Sequence, residues 1–233
     1  MSTRYTSRRA GAFCMVVITL VTALLGSLHS EPPKDYKDVS LKELGVSLVE
    51  PKKDSKTGFM VGGMNATSLI KKLTEINGIL IADLEKSMRP EELSTAGFLG
   101  KDESLLEVLT ADNLYVVDEQ GLTHQELAKH LHVLAAIGVR QEGKEFRFYG
   151  KKLKIRMIYS KGYQDSPFKD DTKTDSEAVI FNLDNGKNLR YSLLVPMMIE
   201  RYGFYEGKGT SYRVDPRKVM EVLDFLKEKV KKE

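Results

Sequence analysis

Glu145-Phe146-Arg147-Phe148-Tyr149-Gly150-Lys151-Lys152-Leu153-Lys154-Ile155-Arg156-Met157 has the two-residue hydrophobic period of a β-hairpin. Phe146, Phe148, Leu153, Ile155 and Met157 alternate with Arg147, Lys152, Lys154 and Arg156 around a turn at Gly150-Lys151. A two-residue period puts the apolar side chains on one face and the cations on the other, which predicts an antiparallel hairpin with one face buried and one solvated. A second hairpin is predicted from Val179–Leu183 and Leu189–Leu193, joined through Asp184-Asn185-Gly186-Lys187. Asn-Gly between apolar runs supplies the left-handed backbone a tight hairpin turn needs. The polar, acidic stretch Gln164–Glu177 reads as a solvated loop between the two hairpins.

Upstream the period is helical. Thr123-His124-Gln125-Glu126 matches a capping box, and Leu127, Leu131, Leu134 and Ile137 supply a buried stripe that Gly138 is expected to close. Asn65-Ala66-Thr67-Ser68 offers caps for a helix with Leu69, Ile70, Leu73 and Ile76 on one side, ending at Asn77-Gly78. Ile79–Met88 reads as a short helix or strand-helix piece, and Ser104–Leu109 as part of another helix. Downstream, Pro196 opens a short helix that Gly203 ends, and Asp215-Pro216 caps a terminal helix with Val219, Val222, Leu223, Leu226 and Val230 on one face. The pattern is α+β: a helical N-terminal half, then antiparallel β-hairpins with a packed C-terminal helix. The expected organisation is 1–30 as a leader, 31–57 as a tether and lead-in segment, 58–140 as a helical subregion and 141–233 as an antiparallel subregion, with 58–233 forming one compact unit.

The N-terminus has the form of an export signal. Arg4, Arg8 and Arg9 precede the apolar run Ala10–Leu28, and the first acidic residue is Glu31. Cleavage after Ser30 fits a small residue at that position, although Leu28 is not the small residue preferred two places earlier. The alternative is an uncleaved anchor through residues 10–28, because the run approaches the roughly 20 residues a bilayer-crossing helix needs. Either way the expected location is periplasmic, extracellular or membrane-tethered. The Arg8-Arg9 pair lacks the hydrophobic pair a twin-arginine signal would place after it.

Without residues 1–30 the Lys+Arg count falls from 36 to 33 and matches the 33 Asp+Glu. Overall neutrality argues against a nucleic-acid partner. The single cysteine, Cys14, lies within the apolar run, so the remainder has no thiol for a disulfide, a zinc-thiolate site or a nucleophile.

Several segments could carry chemistry. Gly58–Gly63 could offer backbone N–H groups to an anion, but it lacks the ending of a phosphate loop, and a turn explains its glycines. Leu122–Val133 superficially resembles the first helix of a helix-turn-helix, with polar residues where a recognition helix should follow. Asp165, Asp170, Asp171, Asp175 and Glu177 could gather calcium, though the order and glycine of an EF-hand are missing. Tyr202–Tyr212 could be a ligand-facing aromatic loop or a cover for the sheet. Asn65-Ala66-Thr67 would be a glycosylation sequon in a eukaryote. No Gly-x-Ser-x-Gly elbow occurs.

Three histidines, His124, His130 and His132, fall on one helix with Glu126. His124, Glu126 and His130 form the candidate site for a divalent metal such as Zn²⁺, with Asp118 or Glu119 as a further oxygen donor. The spacing is not His-Glu-x-x-His, and His132 lies about 160° around the helix from His130 at ~100° per residue. Two functional expectations follow: an exported non-catalytic binding module for a protein or small-molecule ligand, or a metal-dependent, hydrolase-like enzyme using the His/Glu cluster.

Overall fold

The structure is a computed structural model that describes residues 35–46, 67–90, 96–141 and 143–227. Residues 1–34, the Gly58–Gly63 turn, Asn65, Ala66 and Val230 lie outside the described residues, and with them the expected leader. Among the described residues no helix is long and apolar enough to cross a membrane.

The chain is α+β. In order, it forms α1 (Thr67–Ile70), the two-residue strands β1 (Glu75–Ile76) and β2 (Ile79–Leu80), α2 (Ile81–Met88) and α3 (Leu105–Asn113), which runs into a π-helical turn at Leu114–Glu119. The longest helix, α4 (His124–Gln141), precedes β3 (Glu145–Phe148), β4 (Lys151–Asp165), β5 (Lys173–Asn182) and β6 (Asn188–Ser192). Helices α5 (Leu194–Tyr202) and α6 (Pro216–Val222) complete it. The four longer strands form one antiparallel meander in the order β3-β4-β5-β6.

Helix α4 is the mould on which the sheet lies. Its capping box is formed: Glu126 N donates to Thr123 Oγ1 at 3.1 Å, and Thr123 N donates to Glu126 Oε2 at 3.1 Å. Leu127, Leu131, Leu134 and Ile137 are fully buried, each worth about 1.5–3 kcal/mol. The helix does not stop at Gly138 but runs to Gln141. A Cβ at Gly138 would run into the Ile155 side chain, so this glycine admits β4 close to the helix and does not terminate it. Tyr191 of β6 anchors the far side by donating from its hydroxyl to Leu131 O at 2.8 Å.

Other expectations shift. The α1 segment ends at Ile70, and Asn77 (φ 53°) and Gly78 (φ 72°) form the turn between β1 and β2 where a helix C-terminus was expected. Two consecutive positive φ values make a primed hairpin turn, which overrides the helical spacing of Leu73 and Ile76. The first β3–β4 turn is centred on Tyr149-Gly150, with φ of 50° and 77°. The stretch expected to be a long solvated loop is largely strand, leaving only residues 166–172 outside β4 and β5.

That short loop is held down. Phe168 is fully buried and stacks on Tyr202 at 3.9 Å between centroids. Asp170 pairs with Arg201 at 2.8 Å and accepts from the Tyr202 hydroxyl at 2.8 Å. Burial pushes the Asp170 carboxyl up, but hydrogen bonds from Thr172 and Tyr202 and the Arg201 charge outweigh it and hold it below its ordinary value. The lead-in segment also docks: Tyr36 and Leu44 are buried, and Gln141 Nε2 donates to the Tyr36 hydroxyl at 2.7 Å. One contiguous apolar core runs from Tyr36 to Leu226.

Candidate functional site

The capped start of α4 buries His124 to 1 % exposure, with its Nδ1 2.9 Å from the Tyr205 hydroxyl and its Nε2 2.9 Å from Asn113 Oδ1. Asn113 Nδ2 donates to Thr67 Oγ1 at 3.0 Å, and Thr67 Oγ1 donates to Asp118 Oδ2 at 2.6 Å. That direction fixes the tautomer: Asn113 Oδ1 must accept from Nε2–H, leaving Nδ1 to accept from the tyrosine. Burial lowers the His124 pKa to about 4, so the ring is neutral at physiological pH. Both ring nitrogens are committed to a structural relay that ties α3, α4 and the loop after α5 together.

The other two candidate ligands are engaged separately. Glu126 Oε2 closes the capping box. His130 Nδ1 donates to Glu126 O at 2.6 Å, and its ring packs near Phe148 and Phe225. Asp118 is exposed and serves Thr67. His132 Nε2 lies 3.5 Å from Glu200 Oε2 and holds that carboxyl below its usual range. Among the described residues, no group of three or more His, Cys, Asp or Glu side chains gathers where it could hold an ion.

A second polar cluster is built by the loop after α5 and was not singled out in the sequence. Asp112 and Arg213 form a buried bidentate pair at 2.6 and 3.1 Å. Glu206, 1 % exposed and at φ 65°, accepts from Thr210 Oγ1 at 3.0 Å, and Arg213 donates to its backbone carbonyl. Its Oε1 has no hydrogen-bond partner among the described residues. Burial pushes Glu206 up to about 8 against the pull of Thr210 and Arg213. Glu103 takes the backbone N–H of Gly100 and of Lys208, each at 2.7 Å, and clamps the loop to the segment before α3. Here the aromatic residues Phe204 and Tyr205 point into the core and are fully buried. Asp112, Arg213 and Glu103 are held by these contacts, while Glu206 keeps one carboxylate oxygen unpaired among the described residues. A shallow polar depression of about 410 Å³ lies beside α6, where Lys187 and Glu221 pair at 3.0 Å.

The accessible chemistry lies on the outer face of the sheet. Register sets Glu145, Lys154, Phe181 and Asn188 side by side in one row across the four strands. Arg156, Val179 and Arg190 form the next row, with Arg147 and Lys152 paired beyond the first. Arg147, Lys152, Lys154, Arg156 and Arg190 are all exposed. Lys152 pairs with Glu145 and Arg190 with Glu177, each at 2.5 Å. Among the described residues, neither Lys154 nor Arg156 forms an ion pair. The alternation visible in the sequence placed these cations outward. It could not show which of them acids on neighbouring strands would neutralise.

Comparison of the chain with protein-family models, with curated proteins and with solved structures returned no match.

Proposed function

We propose that this chain is an exported or surface-tethered binding module that acts without turnover, and that the outer face of its sheet binds an acidic ligand. The observation that carries the reading is the pair Lys154 and Arg156, exposed on one strand face and without an acidic partner among the described residues. Unneutralised cations fixed on a rigid sheet raise the local concentration of anions and cost little reorganisation on binding. The groups best suited to acid-base or nucleophilic work support the same reading, because His124, Asp112 and Glu206 are buried and held by structural partners. The Arg4, Arg8 and Arg9 cluster before the Ala10–Leu28 run supports export.

Long poly-glutamate is the probe. Wild-type chain should bind it in a salt-sensitive manner, and the double variant K154E/R156E should bind it about tenfold more weakly, a ~1.4 kcal/mol loss. Equal binding by the double variant, or turnover on a hydrolase panel abolished by a single point mutation, would overturn the reading.

A further inference from the structure

The meander leaves one strand longer than its neighbour. β3 pairs with β4 only over Lys151–Lys154, whereas β4 continues to Asp165 and pairs on its other edge with β5 as far as Tyr159, and again at Gln164 and Asp165. Leu183 N donates to Lys152 O at 2.9 Å, so the polar backbone groups of Lys152 face β5. Alternation along the strand turns those of Leu153, Ile155, Met157 and Tyr159 to the opposite edge. Leu153 meets Phe146 of β3, and the chain entering β3 passes close to Ile155 O, near Gly143. Beyond that point the edge is open: among the described residues, no strand lies beside Met157 and Tyr159, and neither residue joins a hydrogen bond of a turn, loop or cap. An open row of N–H and C=O groups is a template for another extended chain.

Side chains beside this edge select the occupant. On the outer face stand Lys154 and Arg156, both exposed. On the inner face, beyond the helical cover, Tyr159 is 65 % exposed and Met157 half-buried. A second copy pairing antiparallel would set cations against cations, which like-charge cross-strand pairs disfavour. The template is bounded by the register break after Tyr159, where Gly162 adopts φ 105°. Ile155–Tyr159 is thus about five residues and ~17 Å of usable edge.

We propose that the open edge of β4 at Met157 and Tyr159 takes up an extended acidic peptide as an added strand, its carboxylates on the outer face opposite Lys154 and Arg156 and its apolar side chains beside Met157 and Tyr159. This rests on the reading of the sheet as an anion-binding surface and adds the backbone contacts that would make it selective for an extended polypeptide.

The test uses the full-length chain and a fluorescent peptide of alternating glutamate and valine, long enough to span the edge. Methylating the peptide nitrogens that face β4 removes donors and leaves every charge in place. Binding should weaken at least about tenfold in that register and by less than about twofold when the outward-facing nitrogens are methylated instead. The amides of Met157 and Tyr159 should become protected from hydrogen exchange, and R156E should weaken binding about tenfold. If neither methylation changes the affinity while poly-glutamate still binds, strand addition is wrong and the surface reading stands. If poly-glutamate also fails to bind, the underlying reading falls. Peptide-free chain that dimerises, with Met157 and Tyr159 protected, would assign the edge to a second copy and overturn the proposal.

Discussion

Replacing Glu206 by glutamine isolates one buried proton. The folded chain holds the Glu206 carboxyl at about 8, against an ordinary value of 4.5. Between those values the unfolded chain has released a proton that the folded chain retains. The stabilisation is therefore complete below the unfolded value and is lost as pH rises through about 8. At ~1.4 kcal/mol per pH unit, the loss between about pH 5 and 8 is on the order of 4 kcal/mol. Glutamine keeps the shape and the contact with Thr210 but does not titrate, so E206Q should match wild type in mild acid and exceed it by about that amount at alkaline pH. Urea unfolding at a series of pH values measures the difference directly. Stability curves for the two proteins that run parallel through the neutral range would refute the assignment of the buried proton to Glu206.

Three further outcomes follow from the same packing. Burial holds His124 at about 4 against an ordinary 6.5, so the unfolded chain takes the proton first as pH falls. Wild type should lose about 3 kcal/mol between those values, and H124Q should flatten that acid limb in urea unfolding. G138A should destabilise by about 1–2 kcal/mol in denaturant titration, because the collision with Ile155 outweighs the ~1 kcal/mol that alanine gains in a helix. R213M should cost about 3–5 kcal/mol by the same measurement, since it strands Asp112 as an unpaired buried carboxylate.

Much of the fold was legible because local chemistry and tertiary packing agreed. The capping box at Thr123–Glu126, the proline-led start of α6 with Asp215 accepting from Arg217 N at 2.8 Å, and the Gly203 cap at φ 65° are each completed within a few residues. Where one signal admitted two structures, sequence spacing chose wrongly. Asn77-Gly78 serves equally as a helix end or a hairpin turn, and Gly138 equally as a stop or as a site of close approach. Only the neighbouring strand and the Ile155 side chain decide between them. The acidic run at 165–177 looked solvated because Arg201 and Tyr202, which bind Asp170, are about thirty residues away in the chain.

The alternation of β4 is written in its residues: Lys152, Lys154 and Arg156 share one face and Leu153 and Ile155 the other, because a strand's period admits no other placement. The sequence also brought three histidines onto one helix. Which partners those residues meet depends on folding. Folding places Asn113 and Tyr205 on the ring of His124 and takes both nitrogens for packing. It places Glu145 on Lys152 and Glu177 on Arg190 while leaving Lys154 and Arg156 without an acid among the described residues. Neutralisation and burial depend on partners distant in the chain, which a local pattern does not encode.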